Sequence, residues 1–190
     1  MTLASNRPVL WTEIRTMLLA AMVIFIYTIS IGILNGTDAV DFDQRRILGH
    51  VHGGTLGWLT LSVFAASFWL FGESRPLSDN DRKLARWLAI GGIAAFPCYV
   101  AAFSLTYGNW RPFFGTISLL VITGFFLWVL NRARGSELSV PHWGFLAALG
   151  TSIVGGVLGV LWALQIATGD QFLPTDGEDA HPATMVVGFL

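Results

Sequence analysis

The sequence predicts an all-α, polytopic transmembrane helix bundle, and three observations carry that prediction. The chain of 190 residues is 54% hydrophobic and 12% charged, with a mean hydropathy of +0.62; soluble domains carry about twice that charged share. Its apolar residues gather in runs close to the roughly 20 residues that a bilayer core requires. The basic residues fall between the runs and crowd into alternate connecting segments.

Five runs are complete, at 17–34, 50–71, 87–107, 113–130 and 144–168. A sixth begins near Ala183 and reaches Leu190, too short to span. "HPATMVVGFL" reads as the opening of a span, so the expectation is a single membrane domain over 1–190 whose last helix is partial. Arg7 and Arg15 precede the first run as they would in a signal peptide. The run is longer than the 7–15 residues of a signal core, however, and no small-x-small cleavage pattern follows it, which predicts a retained anchor. Between the second and third runs, "PLSDNDRKLARW" has the look of a short amphipathic helix capped by Ser78 or Asp79. Cys98 is the single cysteine and lies within the third run, which excludes a disulfide framework and a thiolate metal cluster. No basic stripe for nucleic acid is present; the lipid bilayer is the expected partner.

Charge also predicts orientation. Arg7, Arg15, Arg75, Arg82, Lys83, Arg86, Arg132 and Arg134, eight of the eleven basic residues, share one side, and Arg45, Arg46 and Arg111 the other. The positive-inside rule places the N-terminus in the cytoplasm of a cell whose cytoplasmic membrane holds the chain. Trp69, Trp87, Trp128 and Trp143 then form an aromatic belt at the cytoplasmic ends of their spans. His50, His52 and His181 fall on the outer side, and His142 on the inner.

The stretch "GHVHGGTLGWLTL" at 49–61 carries the chemistry. On an α-helix, residues two apart point about 200° away from each other. His50 and His52 therefore serve two groups flanking the helix, or one group and one structural hydrogen bond, and cannot chelate a single ion. Ionisable side chains within a span mark functional sites by default. Gly53-x-x-x-Gly57, repeated by Gly155-x-x-x-Gly159, gives a small-residue face that lets a helix or a flat macrocycle approach. His181 is the one other outer-side imidazole, with Asp179 or Glu178 as candidate partners for its second ring nitrogen and Met185 one turn on. Arg45 and Arg46, just ahead of the second run, suit carboxylates as bidentate forks, although Asp41 and Asp43 are equally available to them.

"GHVHGGTLGWLTLSVFAASFWLF", 23 of the 190 residues, resembles the tenth-helix signature of the heme–copper oxidase catalytic subunit, closest to the C-type (cbb) enzymes. In that family the first histidine of the pair ligates the high-spin heme and the second the low-spin heme. The resemblance implies that His50 and His52 bind heme iron, with His181 the candidate to complete a bis-histidine heme b and Arg45 and Arg46 its propionate partners. Copper is the other metal it brings in. Electron transfer or diatomic-gas chemistry with O2 or NO is the implied activity, with a redox partner, a further oxidase-like subunit or a second copy of the chain as partners. The departures are large. A full catalytic subunit has about twelve spans against five here, no His-His pair supplies the family's copper site, and no span carries an acidic residue or lysine. The rival expectation is a non-enzymatic membrane subunit or metal-handling protein that keeps the helix without heme. A solute transporter is disfavoured by the lack of buried charge and of paired broken helices, Pro97 being the one clear breaker within a span.

Overall fold

The computed structural model describes residues 7–105, 110–174 and 177–189. Within them every regular element is helical. Five helices have the length and apolar composition to cross a membrane: α1 (Trp11–Gly36), α2 (Gln44–Gly72), α3 (Asp79–Leu105), α4 (Trp110–Ala133) and α5 (Val140–Thr168). A short α6 (Gly177–Thr184) follows and widens into a π-helical turn at Met185–Phe189. The chain is a polytopic membrane protein. The residue at the end of the sixth run, Leu190, and the 106–109 stretch that closes the third lie outside the described residues.

Each helix starts earlier than its apolar run. Hydropathy marks only the part of a helix inside hydrocarbon, whereas caps set where the helical backbone begins. Asp43 caps α2, its Oδ1 accepting the Arg46 N–H at 3.0 Å. Arg45 and Arg46 consequently sit in the first turn of α2, not ahead of it. Ser78 Oγ accepts the Asp81 N–H at 3.1 Å, so the expected loop helix is the opening of α3 itself. Ser139 caps α5 in a reciprocal arrangement with His142, whose Nδ1 accepts the Ser139 N–H at 3.2 Å.

Successive helices pack side by side from α1 to α6, and α2 runs through the middle. Its C-terminal half, Leu61–Gly72, touches α1, α3, α4 and α5. Here the core is aromatic: Phe64 stacks on Phe125 with centroids 3.6 Å apart, and Phe68 and Trp128 lie edge to face at 4.9 Å. Beneath them Arg132, read from the sequence as a loop cation, is fully buried in the last turn of α4. Its guanidinium donates to the carbonyls of Phe71 (3.2 Å), Gly72 (3.0 Å), Pro76 (3.1 Å) and Arg75, and Asp81 lies 3.6 Å away. Phe71 and Gly72 end α2, where the last carbonyls have no intrahelical donor, and Ser74 Oγ also donates to the Phe71 carbonyl at 2.8 Å.

The N-terminal half of α2 differs. Gln44–His52 is α-helical, but Gly53–Thr60 is π-helical, and Thr60 Oγ1 donates to the carbonyl of Thr55, five residues back, at 2.9 Å. The glycines of this stretch receive α1: a Cβ at Gly57 would lie 2.5 Å from Ile24 Cγ2. Of the two partners that a small-residue face admits, helix or macrocycle, Gly57 takes a helix. Among the described residues, no Cα between Gln44 and Thr60 comes within 8 Å of one in α5 or α6. The bundle is open there.

Candidate functional site

The opening is walled by histidines. His50 and His52 leave α2 on opposite faces, as the 200° spacing requires. His50 turns to α1. Its Nδ1 lies 2.7 Å from the Thr28 carbonyl and 2.8 Å from Thr28 Oγ1, while that hydroxyl donates to the His50 carbonyl at 2.8 Å. The ring rests on Gly32, where a Cβ would come within 3.1 Å of Cε1. His52 turns to α3 and the opening. Its Nδ1–H donates to the Leu48 carbonyl at 2.8 Å, its ring stacks on Phe103 at 3.9 Å and 17°, and Tyr99 meets it edge-on at 5.5 Å.

His181 reaches the same opening from α6. That helix starts at Gly177, so His181 is in its second turn and not the first. Its Nδ1–H donates to the Gly155 carbonyl of α5 at 2.7 Å, so the ring's second nitrogen is satisfied by backbone and not by Asp179; the side chain of Glu178 lies outside the described residues. Gly159 makes room for the ring, since a Cβ there would lie 2.8 Å from Cε1. Met185 packs its sulfur over Gly155, where a Cβ would sit 2.6 Å from it. The second glycine pair thus serves α6.

A carbonyl can only accept, so each of these three rings carries a proton on Nδ1, and Nε2 is the nitrogen left to bind a further partner. For His52 and His181 that arrangement matters, because both line two adjoining cavities of about 390 Å³ each. Leu48, Tyr99 and Trp162 are also common to both cavities. The inner one runs past Leu56 and Ile122 to the hydroxyls of Thr60, Ser118 and Ser152. The outer one ends at Asp43, Gln44, Arg45 and Arg111.

The predicted residues therefore divide. His52, His181 and Arg45 come together on one cavity. His50 faces the α1 side and does not line it, and Arg46 points to Phe42, its guanidinium 6.0 Å from that ring. Arg45 is also paired with Asp43 at 3.0 Å. Sequence reasoning passed over Arg111, Phe103 and Tyr99. A signal for them existed: Tyr99 and Phe103 are four apart on one face of span three, and Arg111 heads span four on the histidine side.

Among the described residues no group of three or more His, Cys, Asp or Glu side chains gathers as a metal cluster. Two imidazoles on one cavity suit a different kind of metal group. A bare zinc or copper ion needs three or four protein donors, whereas a heme iron, with four positions filled by the macrocycle, needs only axial ones. The donor set fits heme, and each cavity lies within the range of small-ligand and cofactor sites. Comparison of the chain with protein-family models, with curated proteins and with solved structures finds no match.

Proposed function

We propose that this membrane protein binds a b-type heme between His52 and His181 and uses it in electron transfer or diatomic-gas chemistry near the outer leaflet, with its N-terminus in the cytoplasm. One observation carries the reading: two imidazoles, on helical segments that do not touch, line one cavity with both Nδ1 atoms committed to backbone carbonyls. That commitment fixes the tautomer and orients Nε2, as the hydrogen-bonding shell of metal-ligating histidines does. When bound, the heme would supply a one-electron couple and an affinity for O2 or NO.

The chain's own residues do the rest. Arg45, from α2, and Arg111, from α4, stand at the outer end of the cavity, where guanidinium forks meet carboxylates. The apolar walls formed by Leu48, Leu56 and Ile122 exclude water from the inner part. His50, hydrogen-bonded to Thr28, ties α1 to α2 and keeps the helix that carries His52 in register.

The test is a reduced-minus-oxidised visible spectrum of detergent-purified protein with a pyridine hemochrome assay. A b-type α-band at about one heme per chain supports the reading. Folded protein that stays colourless after hemin addition rejects it.

A further inference from the structure

Arg111, Phe103 and His52 meet in the outer cavity. Arg111 sets its guanidinium 4.8 Å from the centroid of the Phe103 ring and donates from Nη2 to the Phe103 carbonyl at 3.4 Å. His52 stacks on the same Phe103 ring at 3.9 Å. Tyr99 closes the edge, 5.1 Å from Phe103 and 5.5 Å from His52, perpendicular to both. Among the described residues, the ring recorded against His181 is Trp162, tilted by 52° at 6.3 Å.

We infer that Phe103 and Arg111 are positioning residues for His52, fixing the plane of its imidazole and bringing a permanent positive charge to bear on the ligand through the Phe103 ring. The inference rests on the heme reading and deepens it. It makes His52 the rigid axial ligand and gives the redox centre a built-in bias.

The physical argument has two parts. A ring free to turn about its Cβ–Cγ bond has one anchor in the Nδ1–H bond to Leu48; a parallel neighbour at stacking distance and a perpendicular one at its edge remove the remaining freedom. The guanidinium is planar, keeps its charge and stacks on aromatic faces, properties that lysine lacks. Held in a low-dielectric interior, its charge opposes the more positive, oxidised state of a nearby iron and so raises the reduction potential.

The experiment is a double-mutant cycle on heme-loaded, full-length protein, read by redox titration and by the low-spin electron paramagnetic resonance signal, which reports the orientation of the axial imidazoles. Arg111→Gln should lower the equilibrium constant for one-electron reduction by roughly tenfold, about 59 mV. Phe103→Leu should shift and broaden the resonance, and Phe103→Tyr, which keeps the ring, should restore it. The Arg111→Gln effect should shrink when Phe103 is already Leu, because the two act as one unit.

Arg111→Lys keeps the charge without the flat stack, so it should hold the potential and broaden the resonance. It serves as the second variant if Phe103→Leu does not fold. Additive effects in the cycle, or a resonance that ignores both Phe103→Leu and Arg111→Lys, overturn the positioning role and leave the heme reading standing. A wild-type protein that binds no heme overturns both.

Discussion

The rings of His50 and His52, two residues apart on one helix, face opposite neighbours: His50 is hydrogen-bonded to Thr28 of α1, and His52 is stacked on Phe103 of α3. One histidine joins two helices and the other lines a cavity. The two substitutions should therefore fail differently. His52→Ala should abolish the heme spectrum with little change in melting temperature. His50→Ala should retain the spectrum and cost about 0.6–1.7 kcal/mol, the range of interhelical hydrogen bonds in membranes. Paired absorbance and thermal-melt measurements distinguish them; a lost spectrum in His50→Ala at unchanged stability would contradict the division of roles.

Gly155 and Gly159 are one turn apart on α5, and their substitution should have unequal effects. A methyl group at Gly159 meets the His181 ring at 2.8–2.9 Å, at Cε1 and at the Nδ1 that donates to Gly155. Gly159→Ala should weaken heme retention by about 10–100-fold, the scale of losing a supporting hydrogen bond to a ligand. At Gly155 the obstructing group is the Met185 thioether, which has rotamers to yield. Gly155→Ala should be the milder of the two in hemin titration, and the reverse order would count against the placement of His181.

His181 should also be the ligand that outside molecules displace. Among the described residues, His52 has a stacked and a perpendicular ring against it, and His181 has one tilted ring, Trp162. Carbon monoxide added to reduced protein should produce the same adduct spectrum in wild type as in His181→Ala, with faster binding in the variant. An adduct that depends on His181 and not on His52 would reverse the assignment.

Arg132 supplies the donors for the carbonyl end of α2, so Arg132→Ala should destabilise by roughly 3 kcal/mol. Arg132→Lys, with one donor group for several carbonyls spread over Phe71–Pro76, should recover only part of it. Chemical denaturation in detergent measures both. Equal stability of wild type and Arg132→Ala would mean that water satisfies those carbonyls.

Asp43 gives the outer end a pH dependence of known sign. The Arg46 backbone N–H holds its carboxyl below the usual carboxylate range, against desolvation, and Arg45 adds to the lowering. A depressed folded pKa means stability that is fully present above the unfolded value and is lost as the pH falls through the folded one. Asp43→Asn keeps a capping oxygen without the titration. Acidification past the carboxylate range should lower the melting temperature of wild type more than that of Asp43→Asn, and parallel curves would remove Asp43 as the source.

Much of this was legible in the sequence because it depends on counting. Run length gave five spans, and the 200° spacing put His50 and His52 on different faces. Alternation of connecting segments put His181 at the level of His52. What escaped depends on local geometry that residue types do not encode. The early starts of α2 and α3 lie in polar turns without a hydropathy signal. The π-helical stretch at Gly53–Thr60 looks in the sequence like any glycine-rich helix opening. Arg111 and Arg132 were both read as loop cations by their position between runs, yet one stacks on Phe103 and the other is fully buried. A charge at the end of a span can snorkel or fold back, and composition does not choose between them.

The buried guanidinium of Arg132 has a mechanical consequence. It knots the ends of α2, α3 and α4 together at one membrane face, while at the other face the first seventeen residues of α2 stand clear of α5 and α6. Helix α2 is thus tied at one end, and at the other it packs on α1 and α3 but stands clear of α5 and α6. A change in bilayer thickness or acyl-chain order around that second end is the one expected to bear on the spacing of His52 and His181.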